Sequence, residues 1–416
     1  MQKITVVGGS SPFTVSLIDA IAQDEALVGA LYDCHLVLNG RNTSNLNAVS
    51  DYAATLLGDR LASIQPSTDL DASLDGADIV LLQARFGGLA ARAEDEAFAA
   101  RMGSVPDETL GPGGLLSAFR QWGAVEDLSR RMIALCPNAF VINLVNPLSL
   151  VTSQMIENGL NAIGICELPF ATVRLLAESQ GADPYTTQWD YEGLNHRGFI
   201  TRAGTSEGVD LLQEARRSDT IDKALYEGAG EFLDTFGVLP TKYFSIFHYR
   251  RPLKAGRAEM LNSLRSDIAH ALATNPDKRP NRLAERDTSW YPDAVVPVLA
   301  GRLSVRPYSW TVNTVAREGL VSEQRVALFG ESMTVMTTAP VQGPARDWLN
   351  YYETQERLSM TALKRRTFDS ILQALSFDRL TPTETLHDAA TEIHEAWAAA
   401  YPQASTTPVN TNRSME

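Results

Sequence analysis

The strongest constraint on this chain is an order of elements. An apolar, β-branched run at 4–7 stops at Gly8-Gly9-Ser10-Ser11-Pro12, and an amphipathic run follows at 15–21. A strand, a tight glycine turn and a helix in succession bring free backbone N–H groups and a helix N-terminus to one point, where a pyrophosphate could sit. The fingerprint is a bare glycine pair and not a full GxGxxG, and such a pair also serves as a plain turn. Its place after the first strand favours the cofactor reading, with Gly8, Gly9, Ser10 and Ser11 as candidate contacts.

The alternation then continues. A second strand over 35–38 ends at Asn39-Gly40-Arg41-Asn42, where an NAD-binding unit would usually offer an acid to the ribose 2′-OH. No acid is present in that stretch. Arg41 could meet the 2′-phosphate of NADP or be a solvated surface cation, so NAD stands with NADP as its alternative, and Asn39 and Arg41 are the candidate residues. Helices over 44–57 and 115–134, a short helix running to Leu74 from the capping stretch Ser67-Thr68-Asp69, and strands over 77–83 and 140–145 complete the pattern. Roughly the first 150 residues read as a doubly wound, Rossmann-like α/β domain.

Three polar phrases interrupt the apolar background between 141 and 196: Asn146-Pro147, Cys166-Glu167 and Asn195-His196. The first two end short buried-strand runs, where a parallel sheet opens onto a ligand crevice, so a thiol, an imidazole and a carboxylate could meet there. By themselves the residues admit plainer roles: a cysteine filling core, a satisfied histidine, an Asn-Pro turn. The densest polar segment, 84–120, holds Arg85, Arg92, Asp95, Glu96, Arg101, Glu108 and Arg120 with two Gly-Gly pairs. Alternating charges suit a solvated helix face, but the glycines favour a loop covering a substrate.

Composition excludes some classes. A net charge of −14 without a local basic patch argues against nucleic acid or anionic lipid as partner. No apolar run approaches the ~18 residues of a membrane span, and the N-terminus runs directly into a strand, so no membrane partner is expected. Three cysteines without framework spacing suit a reducing, cytoplasmic setting. In the C-terminal half, helices are expected over 209–237, 257–273 and 355–375 and strands within 311–329, forming a second α/β substrate part. The boundaries read from this are 1–165 for the dinucleotide, 166–403 for substrate and metal, and a polar tail at 404–416. A homodimer or homotetramer is expected.

The segments GGSSPFT, ARFGGLAARAEDE, DETLGPGG, NPLSLVT, GICELP and GLNH occur in the same order as the motifs of the family four glycoside hydrolases, which this chain resembles. Later segments, LPTKYF and WTVNTVAREGLVSEQRVALF, extend the resemblance through most of the chain. It implies a fold like lactate and malate dehydrogenases, NAD, and a divalent metal, usually manganese. Members act on 6-phospho-α- and 6-phospho-β-glucosides and on related α-glycosides, which makes a 6-phosphoglucoside or related glycoside the expected substrate. By position, Cys166 and His196 would hold the metal and Tyr243 would remove the proton at sugar C2. Asn146 would hold sugar hydroxyls, and Arg92 and Glu108 would lie near substrate or nicotinamide.

Two departures bear on the substrate. Glu167 follows the metal cysteine where phosphosugar members tend to carry Asn or Asp; a carboxyl there could protonate the leaving oxygen. The tyrosine segment is altered, and Arg250, Arg251 and Lys254 add a basic cluster suited to a phosphate or a sugar acid. The alternatives are a hydroxyacid or sugar dehydrogenase of the same fold and a non-catalytic nucleotide sensor.

Overall fold

The computed structural model describes residues 2–218, 221–249, 256–316 and 319–401. Strands β1 (Gln2–Val7), β2 (Cys34–Asn39), β3 (Ser63–Ser67), β4 (Ile79–Leu82), β5 (Phe140–Asn143) and β6 (Asn161–Gly164) run parallel in the spatial order β3-β2-β1-β4-β5-β6. That order is the doubly wound arrangement, whose carboxyl edge opens a crevice. All four residues of β4 and of β5 are buried, which is why β4 and the first three residues of β5 are continuous apolar runs without a polar face. Helices Thr14–Ala22 and Thr43–Leu57 cover one face, and helices Gly111–Leu135 and Leu148–Glu157 the other.

Beyond β6 the sheet changes sense. Strands β7 (Gln188–Leu194), β8 (Arg197–Gly204), β9 (Leu239–Pro240), β10 (Thr311–Val315), β11 (Val321–Phe329) and β12 (Ser332–Val335) extend it in the order β6-β10-β11-β7-β8-β9, with β12 beside β11. The handover is antiparallel, with Asn313 opposite Gly164. A Cβ on Gly164 would lie 2.5 Å from Thr152 Oγ1, so only glycine lets the helix that follows β5 sit this close to the seam.

Several expectations need correction. Strand β3 was not anticipated, because SIQPS has no apolar alternation; Gln65 and Pro66 are exposed on an edge strand, where proline is tolerated. The segment 84–120 is not chiefly a covering loop. Residues Gly88–Arg101 form a helix and Gly111 begins another. Its glycines serve close approach: a Cβ on Gly114 would lie 2.3 Å from the Thr109 carbonyl, and one on Gly113 would lie 2.5 Å from the Asp107 oxygen. The single helix expected over 355–375 is two, Gly343–Arg365 and Phe368–Phe377. Arg366 turns left-handed at φ +60 and Thr367 caps the second in a capping box. Among the described residues no helix is long and apolar enough to cross a membrane. The cluster Arg250, Arg251 and Lys254 and the tail 404–416 lie outside the described residues.

Helix Gly343–Arg365 is fastened to β8 by a buried ion pair. The Arg197 guanidinium, 7% exposed, donates to Glu356 and, at 3.0 Å, to Gln355 Oε1, while Ser149 also donates to Glu356. Removing the cation alone would strand a buried carboxylate, which typically costs about 3–5 kcal/mol. Arg197→Met is therefore expected to lower the unfolding free energy by about that amount in urea denaturation, and Arg197→Met/Glu356→Gln to recover most of it. A double variant no more stable than the single one would show that packing, and not charge, fastens the helix.

Candidate functional site

A cavity of about 1640 Å³ opens at the carboxyl edge of the parallel strands. Gly8, Ser10, Ser11, Asn39, Arg41, Arg92, Glu108, Asn146, Cys166, Glu167, His196 and Tyr243 all line it. Of the described residues named from sequence as cofactor, metal, substrate or catalytic contacts, Gly9 alone does not, since it packs beneath the turn against Leu38. The glycine turn is fixed to β2 by two bonds to one acceptor: the N–H groups of Gly8 and Gly9 donate to the Asn39 carbonyl at 3.0 and 2.7 Å. Gly8 has φ +99, and a Cβ there would meet the Ala84 nitrogen at 2.7 Å, so the backbone approaches β4 as only glycine allows. The Asn39 side chain faces away, donating to Ser67 O, Asp69 O and Ser73 Oγ at 3.1–3.2 Å.

Cys166 and Glu167 follow β6, and Glu167 precedes helix Leu168–Glu178 without capping it, which leaves its carboxyl on the cavity wall. His196 arrives from the other half of the sheet. It sits in the two-residue turn between β7 and β8 at φ +64, a left-handed conformation uncommon outside glycine. The pairing of β9 with β8 then folds the chain back, Thr241 donates its hydroxyl to the His196 carbonyl at 3.1 Å, and Tyr243 lands on the imidazole. The two rings stack with centroids 4.3 Å apart and planes 1° from parallel.

The electrostatics fit a cation. Burial holds His196 down to about 3, so its ring is neutral, and its buried Nδ1 has no partner among the described residues. Burial pushes the Cys166 thiol well up, and the carboxylates of Glu167 and Glu323 push it further. A neutral imidazole with an unused nitrogen and a thiol in a negative field suit a divalent ion, which would favour the thiolate. Among the described residues no three His, Cys, Asp or Glu side chains gather at one point, so the chain could offer only this sulfur–nitrogen pair and leave other positions to ligand oxygens. Burial likewise raises Glu167 above the usual carboxylate range and, with Asp107, raises the Tyr243 phenol.

On the facing wall, Glu108 pairs with Arg85 and with Arg92 at 2.9 Å, and Arg92 pairs with Glu96 at 2.6 Å. Burial works to raise Glu108, but these arginines prevail and hold it below its ordinary value. Asp107 beside it is pushed up to about 6 by burial. Sequence reasoning missed Arg257 and Arg286, which also line the cavity, and Glu323 beneath it. Arg286 lies over the Phe13 ring at 3.9 Å and the Trp290 ring at 4.9 Å. The one visible signal was Glu323, a carboxylate inside the strand-like VSEQRVALF, since a buried charge needs a reason.

Residues 3–181 match the family model described as Family 4 glycosyl hydrolase. A probable 6-phospho-beta-glucosidase of Bacillus subtilis is 24% identical over 433 residues, covering 95% of this chain and 97% of that protein. Among solved structures, a 6-phospho-beta glucosidase from Thermotoga maritima with manganese, NAD+ and glucose-6-phosphate superposes with a TM-score of 0.83. It is 20% identical and covers 97% of this chain and 99% of that one. Malate dehydrogenase from Plasmodium falciparum superposes at 0.52 with 13% identity, over 88% of this chain and 99% of the enzyme. These likenesses bear out the expected dehydrogenase-like α/β fold.

Glu323, 1% exposed, accepts from Tyr191, from Asn195 at 3.3 Å and from Asn313 at 3.3 Å. Burial nevertheless pushes its carboxyl up to about 7. A raised carboxyl contributes stability that is full below the unfolded value near 4.5 and is lost as pH rises through 7, because the unfolded chain ionises first. The displacement corresponds to about 3 kcal/mol. In urea denaturation from pH 5 to 8, Glu323→Gln is expected to flatten the loss of stability by about that amount. Parallel profiles for the two proteins would exclude this carboxyl as the source.

Proposed function

We propose that this chain is a family 4 glycosyl hydrolase that cleaves the glycosidic bond of a 6-phosphoglucoside or related glycoside, using NAD and a divalent ion such as manganese. The observation that carries the reading is the meeting of Cys166, His196 and Tyr243 with the glycine turn in one cavity. In this reading residues 1–165 hold the dinucleotide, with Gly8, Ser10 and Ser11 at the pyrophosphate, and residues 166–403 bring metal and substrate. Cys166 and His196 hold the ion. When bound, the dinucleotide supplies reversible hydride transfer at sugar C3 and the ion supplies Lewis acidity, which together acidify the proton at C2.

The chain's own groups do the rest. Tyr243 takes the C2 proton; since burial disfavours its phenolate, Arg257 is the protein charge that favours it. Glu167, whose proton affinity burial raises, is placed to give its proton to the departing oxygen. Arg92, Glu108 and Asn146 fix the sugar. A dehydrogenase alternative is less well supported, because it gives no role to a thiol and imidazole presented together. The free thiols of Cys34, Cys136 and Cys166 suit a cytoplasmic setting, and the exposed Phe329, Val335 and Met336 beside β12 suit self-association as a homodimer or homotetramer.

Two measurements test this. Cys166→Ser is expected to stay folded while manganese affinity, read by titration calorimetry, falls at least tenfold; unchanged affinity would make Cys166 core filling. Product formed in D₂O is expected to carry deuterium at C2 and none at C3, because the phenolic proton exchanges with solvent and the hydride does not. Full protium at C2 by NMR would point instead to two-carboxylate hydrolysis, which leaves C2 untouched.

A further inference from the structure

We infer that the adenosine end of the dinucleotide site is built to accept a 2′-phosphate, with Arg41 as the residue that sets cofactor selectivity, so that NADP binds at least as well as NAD. The inference rests on the dinucleotide reading above. The tip of β2 is where such a fold meets the adenine ribose; an acid there accepts the 2′-OH and repels a phosphate, and an arginine does the reverse. The position of this corner is not adjustable. The Asn39 carbonyl holds both glycine N–H groups, and a Cβ on Gly40 would lie 2.3 Å from Ser10 Cβ, so the residue after Gly40 is delivered to the cavity rim beside the turn.

Among the described residues that rim offers no carboxylate. The cavity's acids are Glu96, Asp107, Glu108 and Glu167, none of them on β2 or the turn after it. Asp69, whose carbonyl reaches Asn39, uses its carboxylate to cap the Ala72 N–H at 3.1 Å. Two polar groups of this corner are committed within the protein: the Asn39 amide donates three times into β3 and the helix after it, and Asn42 Oδ1 accepts from the Asn45 N–H at 2.9 Å. Arg41 remains exposed on the cavity wall, with no carboxylate partner among the described residues. A guanidinium fork matches a phosphate bidentately, and a 2′-phosphate is the one charged group by which the two dinucleotides differ.

The test is titration calorimetry of the full chain with NAD+ and NADP+ at fixed salt. The expected result is an NADP+ Kd no weaker than that of NAD+. Arg41→Ala should weaken NADP+ at least tenfold and NAD+ less than threefold, and Arg41→Asp should reverse the preference in favour of NAD+. Wild-type protein that binds NAD+ but holds NADP+ tenfold more weakly overturns the inference and leaves the dinucleotide reading standing, as does an equal loss for both nucleotides in Arg41→Ala. Binding of neither overturns both.

Discussion

The buried carboxylate of Glu323 is the point on which the site depends. It stands on β11 and receives hydrogen bonds from Tyr191 on β7, Asn195 in the turn after β7, and Asn313 on β10. These elements form the antiparallel half of the sheet, and Asn313 faces Gly164 across the seam with the parallel half. A charge in the interior is tolerable only when its oxygens are occupied, so the three donors must converge. In converging they carry the turn that bears His196 to the end of β6, which bears Cys166. A polar contact in the interior thus decides where two strands from opposite halves of the sheet deliver their side chains.

The same logic sets the opposite end of the cavity. The glycine turn is not free to choose its place, because both of its N–H groups are held by the Asn39 carbonyl and its first residue presses on Ala84. What that rigidity presents to a ligand is the Ser10-Ser11 side of the turn and a guanidinium at the tip of β2. Between the ends, Arg85, Arg92, Glu96 and Glu108 neutralise one another in a linked set of ion pairs, which keeps the wall polar without a large net charge.

Periodicity made the first half legible and left much of the second obscure. Buried parallel strands are short apolar runs, so β1, β2, β4 and β5 could be placed closely, whereas the exposed edge strand β3 has no such pattern. Alternating charge and glycine between 84 and 120 look alike whether a loop covers a ligand or a helix packs beneath a crossing backbone. The contacts of Gly113 and Gly114 decide for the helix, and they are made with residues just upstream in the chain. The break at Arg366 escaped notice because Arg366-Thr367 disturbs the amphipathic spacing by only two residues.

The amino-acid sequence alone determined the fold class, the position of the glycine turn, the missing acid after β2 and a short list of polar residues placed where strands should end. These are local properties, written in spacing and residue type. It could not determine that His196 and Tyr243 would stack, that the His196 nitrogen would be left without a partner, or that Glu108 would be locked between two arginines. The placing of His196 and Tyr243 arises from pairings between β6 and β10, β7 and β11, and β8 and β9, which join residues 39 to 149 positions apart. Protonation followed the same division, since burial and neighbouring charge, supplied only by the assembled sheet, set the charge states around the thiol.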